Sequence, residues 1–175
     1  MGKDFDTAAQ VGAYPTCSTC GGQRVRCDAW ARWDLPTRQW QVAETFDGAY
    51  CLDCEAACGF AWQVDDAFRK QRIRRLNDLV RHGDLSHATV VVTEGVRAWG
   101  ETFLEKVAQA VIAFDVFTED NDPHGEHDFG AFEVADQKIF WKIDYFDLAL
   151  SGYSPDPANR DVTHRVLTIM LASEY

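Results

Sequence analysis

Two Cys-x-x-Cys turns, Cys17-Ser-Thr-Cys20 and Cys51-Leu-Asp-Cys54, constrain this chain more than any other feature. A turn of that spacing aims two sulfurs at one point, and two such turns joined by a hairpin close a tetrahedral thiolate site. The segment between them is patterned accordingly. Val25, Cys27, Ala29, Ala31 and Trp33 alternate with largely polar neighbours, Asp34-Leu-Pro-Thr37 suits a turn, and Gln39 to Phe46 returns as a second strand. The spacing predicts a zinc ribbon over residues 1–62, with one structural zinc on Cys17, Cys20, Cys51 and Cys54. Cys58 follows Cys54 closely enough to replace it as a ligand, whereas Cys27, in mid-strand, reads as a small buried apolar residue. Trp30, Trp33, Trp40 and Trp62 give the ribbon a heavy aromatic load, for packing over the metal module or for anchoring a partner.

At 175 residues and 46% hydrophobic content the chain has material for one ordinary domain beside the ribbon. Met1 to Gln10 lacks the basic start and apolar core of a signal peptide, and no run is long and apolar enough to span a bilayer. Six cysteines then read as metal ligands and thiols of a cytoplasmic protein rather than as a disulfide framework.

The net charge of −11 is unevenly spread. Residues 1–62 carry 5 basic and 8 acidic groups, residues 63–82 carry 6 and 3, and residues 83–175 carry 6 and 17. A field this negative over the C-terminal part repels a nucleic-acid backbone, and no membrane partner is expected. The run Arg69-Lys-Gln-Arg-Ile-Arg-Arg75 is the basic exception; it reads as a solvated helix face or as a DNA contact.

Residues 63–175 read as an acidic α+β domain with a mainly antiparallel sheet and about three helices. Asp65 or Asp66 caps a helix to about Arg81, with Phe68, Ile73, Leu76 and Leu79/Val80 as its apolar stripe and Gly83 as its stop. A strand is expected over Ala88 to Thr93 and a helix over Gly100 to Phe114, followed by a hairpin of Phe129 to Ala135 and Lys138 to Tyr145. Asn159 or Asp161 is expected to cap a last helix carrying Val162, Val166, Ile169 and Met170 on one stripe.

Between helix and hairpin, Asp120-Asn-Asp-Pro-His-Gly-Glu-His-Asp128 gathers four carboxylates and two imidazoles with no Lys or Arg. Such a cluster needs water, hydrogen bonds or a cation. His124 and His127 with Asp122 or Asp128 have the donor set of a second metal site, with Glu126 as general base for a hydrolase or nuclease. Asp122, Pro123 and Gly125 equally suit a loop ordered by carboxylate-to-backbone bonds, or one that meets a partner. No nucleophile elbow and no glycine-rich phosphate cradle is present.

From Ile73 onward the chain resembles the domain of unknown function 3768 family. The resemblance is carried by Ile73-Arg-Arg-Leu-Asn-Asp-Leu79, Thr93-Glu-Gly-Val96, Phe117 to Gly130, Phe140-Trp-Lys-Ile-Asp-Tyr145, Ser154-Pro-Asp-Pro157 and Arg165-Val-Leu-Thr-Ile-Met-Leu171. It implies a protein of proteobacterial plasmids and integrated elements, acting in element maintenance or against host defence, and brings no catalytic residue with it. The combined expectation is a non-enzymatic factor that binds a host protein or nucleoprotein complex, as an anti-restriction or anti-CRISPR inhibitor does. Asp115, Glu119, Asp120, Asp122, Glu126 and Asp128 would then face the partner in place of nucleic-acid phosphates. A metal-dependent enzyme centred on His124 and His127, and a DNA-binding regulator using the ribbon and Arg69 to Arg75, are the alternatives.

Overall fold

The computed structural model describes residues 10–175, so the reading of the first ten residues as no signal peptide lies almost wholly outside the described residues. Two compact units emerge, one ending at Asp65 and one spanning Asp66–Tyr175.

In the first unit, β1 (Ala13–Cys17) pairs antiparallel with β5 (Phe60–Val64). β2 (Val25–Asp34) and β3 (Gln39–Cys51) form the long hairpin, and β4 (Ala56–Cys58) adds to β3. The Asp34 carboxylate closes the hairpin tip by accepting from Thr37 N at 2.9 Å and Thr37 Oγ1 at 2.5 Å, and Arg38 takes the left-handed conformation that reverses the chain. The ladder slips between Cys27 and Ala29 and again between Trp30 and Ala31, which twists the ribbon.

The second unit begins with α1 (Asp66–Arg81), whose buried face is Ile73, Leu76, Asn77, Val80 and Arg81. Phe68 and Leu79 of the expected stripe are exposed instead. Gly83 N bonds Val80 O and Asp84 N bonds Leu79 O, so Gly83, at φ 97°, terminates the helix as the sequence predicts. β6 (Ala88–Val92), the short α2 (Glu94–Arg97) and α3 (Glu101–Ala113) follow. β7 (Phe129–Val134) and β8 (Gln137–Phe146) form the expected hairpin; both turn residues, Ala135 and Asp136, have positive φ, as a tight two-residue connection requires.

The last element is a correction. Residues 164–171 form β9 (His164–Leu171), and the expected helix is reduced to a 3₁₀ turn at Arg160–Val162 that Asn159 caps through Asp161 N. The helical stripe Val162, Val166, Ile169 and Met170 competed with a period of two, and the latter won: Arg165, Leu167 and Ile169 are buried on one face of a β-branched run. β9 lies between β6, to which it is parallel, and β8, to which it is antiparallel, giving the order β6-β9-β8-β7. Among the described residues the fold is α+β, with a mainly antiparallel sheet and three α-helices. Its core joins Val80, Val96, Phe103, Val107 and Val111 to Ile139, Trp141, Ile143, Leu167 and Ile169. Gly130 lies opposite Trp141, and a Cβ there would stand 2.5 Å from the indole nitrogen, so only glycine lets the ring lie flat against β7.

Candidate metal centre and the surfaces around it

Each Cys-x-x-Cys turn is shaped by its own backbone. Gly21 N bonds Cys17 O at 2.8 Å, and Cys17 N bonds Gly22 O at 2.8 Å. The turn amides then point inward at sulfur, Thr19 N to Cys17 Sγ and Gly22 N to Cys20 Sγ at 3.4 Å, and Asp53 N to Cys51 Sγ at 3.3 Å. The two turns are held to each other by Leu52 N to Arg24 O at 2.9 Å and by the Arg24 Nε–Asp53 Oδ1 pair at 2.5 Å. Cys17 and Cys51 are buried, while Cys20 and Cys54 are exposed.

The four sulfurs converge. Cys17 Sγ lies 3.9 Å from Cys54 Sγ and Cys20 Sγ lies 3.6 Å from Cys51 Sγ, far outside disulfide range, and all six cysteines are free. Among the described residues this is the one group of three or more His, Cys, Asp or Glu whose ligand atoms lie within 4.8 Å of one another. Amide bonds from Cys20 and Thr19 lower the Cys17 thiol to about 6, while hydrogen bonding to Cys51 and burial push Cys54 up to about 12. Sulfurs this close cannot all ionise unaided, and a bound cation is what makes four thiolates compatible. The cluster has the geometry and the donor chemistry to hold a metal ion, with Cys54 rather than Cys58 in the fourth position.

Above this base the hairpin departs from expectation. Cys27 is exposed, not buried, because among the described residues no layer lies over the hairpin to bury it. Trp30, Trp33 and Trp40 are 66%, 47% and 69% exposed, so they do not pack over the metal site; only Trp62, on β5, is partly buried. Trp33 lies opposite Trp40, their ring centroids 5.6 Å apart edge to face, and Trp30 meets Phe46 at 5.1 Å.

In the second unit the acidic loop is folded on itself. Asp122 is buried, and its Oδ1 accepts from Glu126 N at 2.8 Å and His127 N at 3.1 Å. His127, at φ 54°, is also buried; it stacks on Phe117 with centroids 3.5 Å apart and joins Asp78 Oδ1 through Nδ1 at 3.0 Å. Arg81 reaches the same carboxylate at 2.7 Å and donates to Val111 O and Phe114 O. Burial favours the neutral acid at Asp78, but Arg81 and His127 outweigh it and hold the carboxyl below its usual range.

A second polar chain runs beside it. Arg165 Nε donates to Asn77 Oδ1 at 2.9 Å, Asn77 Nδ2 donates to Tyr145 Oη at 2.8 Å and to Glu126 O, and Tyr145 Oη donates to Glu126 Oε2 at 3.0 Å. Burial pushes the Glu126 carboxyl up against the pull of that hydroxyl, and burial with the charges of Asp122 and Asp144 does the same at Asp128.

These bonds alter the expected partner face: Asp122 is buried, Glu126 and Asp128 are half-buried, and Asp115, Glu119 and Asp120 are exposed. His124 and His127 are not brought together. His124 lines a hollow of about 430 Å³ with Asp120, Asp128, Lys142 and Asp144, while His127 faces Asp78 and Asp122. Asp147 caps its own turn, accepting from Ser151 N and Oγ. Of the basic run, Arg69 pairs with Asp156 at 2.9 Å and Arg72 donates to Ala158 O, while Lys70, Arg74 and Arg75 are exposed. Asn77, Asp78, Arg81, Tyr145 and Arg165 were not singled out from sequence; polar residues at core positions of the helix and strand stripes are the signal that marks them.

Residues 92–174 match the model of a family described as a protein of unknown function (DUF3768). No curated protein and no solved structure matches the chain. Among the described residues no helix is long and apolar enough to cross a membrane.

Proposed function

We propose that this protein is a binding module, not an enzyme, in which one zinc on Cys17, Cys20, Cys51 and Cys54 fixes the base of the β2–β3 hairpin and the hairpin presents its tryptophans to a protein partner. Zinc suits the donor set: four thiolates at about 2.3 Å from a tetrahedral ion lie about 3.8 Å apart, between the two sulfur separations of 3.6 and 3.9 Å. The residues thus fit the ion, which would act structurally, since four protein ligands leave no open position for substrate.

The observation that carries the reading is the exposure of Trp30 and Trp40 on a strand pair that has no core of its own. Three exposed indoles on one hairpin are costly in water and are the side chains that most often dominate a protein interface. Asp115, Glu119 and Asp120 supply a separate acidic surface, suited to a basic partner, and on this reading a host defence complex that normally holds nucleic acid is a fitting target. The expected test is affinity capture with the wild type and with Trp30→Ala/Trp40→Ala. A partner retained by the first and lost by the second supports the reading; equal recovery by both removes the hairpin from it.

A further inference from the structure

Beyond the four clustered sulfurs stands a fifth. β4 pairs Cys51 with Ala56 and Ala49 with Cys58, so Cys58 shares a sheet face with Cys51, one diagonal step away. The residue after it is bound to the other turn: Ser18 N donates to Gly59 O at 3.0 Å, and Cys17 stands opposite Phe60. Backbone pairing therefore ties Cys58 to both Cys-x-x-Cys turns. Cys54 is held differently, exposed in a turn that Glu55 closes in the left-handed conformation.

We propose that Cys58 is an interchangeable fourth ligand, so that the ion on Cys17, Cys20 and Cys51 is completed by either Cys54 or Cys58. In the exchange the Cys58 sulfur bonds the ion and releases its proton to solvent, while the Cys54–metal bond breaks and that thiolate takes up a proton. Charge and coordination number are unchanged, and no oxidant is needed. The surface-exposed Cys54 is thereby freed without loss of the ion, which leaves a thiol at the base of the hairpin open to modification. The inference rests on reading the cluster as a zinc centre.

The test measures bound zinc and cobalt spectra of the full chain in the wild type, Cys51→Ser, Cys54→Ser, Cys58→Ser and Cys54→Ser/Cys58→Ser, with iodoacetamide labelling read by mass spectrometry. The wild type and both single variants at 54 and 58 should hold about one ion per chain, with Cys51→Ser and the double variant holding none. Cobalt-loaded Cys54→Ser should show a four-thiolate spectrum, and its zinc-loaded form should shield Cys58 from the label, which reaches Cys58 in the zinc-loaded wild type and Cys27 in every form. If Cys54→Ser loses the ion as completely as Cys51→Ser, folded or not, or binds it with three thiolates and a reactive Cys58, the exchange does not occur. A wild type that holds no ion overturns the zinc reading as well, so the two failures are told apart.

Discussion

In the unit ending at Asp65, the two longest strands bury a single side chain, Cys51, whereas β8 and β9 of the other unit bury Ile139, Trp141, Ile143, Arg165, Leu167, Ile169 and Met170. The first unit has too few residues for a core of its own and closes around four sulfurs; the second has layers, and its helices and sheet exclude water from one face. A module built the first way can leave its apolar side chains outside, because they are not needed to hold it together. One built the second way closes its core around rings such as Phe103 and Trp141, while acidic groups crowd its surface.

The sharpest break in that comparison is removal of the ion. If the proposed zinc occupies the cluster, chelation or Cys51→Ser should unfold the N-terminal unit entirely, since structural zinc contributes about 10–16 kcal/mol in apparent terms. Amide exchange in Asp66–Tyr175 should be unchanged; simultaneous loss of protection in both units would show that they are not separately stabilised. Next in size, Trp141→Ala should cost the second unit about 3–5 kcal/mol in urea unfolding, because it empties the centre of the sheet and removes the ring beneath Arg81. Asn77→Ala follows at about 2 kcal/mol, leaving Arg165 Nε and one side of Tyr145 Oη without their buried partner.

A smaller effect has a pH signature. The folded-state pKa of Glu126 is raised, so its contribution is fully present below the ordinary carboxylate value of about 4.3 and is lost as pH rises through the folded value. Glu126→Gln keeps an acceptor for Tyr145 and should flatten the stability of the second unit across that window; an unaltered profile would place the titration elsewhere. Asp78 has the opposite sign, its stabilisation present above about 3.9 and lost as pH falls through its lowered value. Least of all on stability, Trp30→Ala should stay within about 0.5 kcal/mol of wild type by thermal melt, since an exposed ring carries little of the fold. A larger loss would mean that the indole packs after all.

Much of this was legible in one dimension wherever the signal was local. Cys17, Cys20, Cys51 and Cys54 announce by spacing a cluster able to hold a metal; Gly83 marks the end of α1; Val90 and its neighbours mark β6; and Phe103, Val107 and Val111 recur as a helix must. β9 was not legible as a strand, because Val166, Ile169 and Met170 satisfy a helical stripe as well, and the arbiter is a hydrogen-bonded slot between β6 and β8 that no local pattern contains. The acidic loop was legible as a turn-rich cluster, but which of its carboxylates face water depended on Asp78, Arg81 and Tyr145, residues from other elements.

The sequence by itself determined that four thiols would meet and that residues beyond the ribbon would form an acidic α+β layer, because turn geometry and apolar periodicity are properties of neighbouring residues. Tertiary structure alone decided that Trp30, Trp33 and Trp40 stand in water, that Asp122 is buried while Asp120 is exposed, and that Cys58 sits on the same sheet face as Cys51. Those outcomes depend on which strands lie side by side and on whether a second layer is there to cover them.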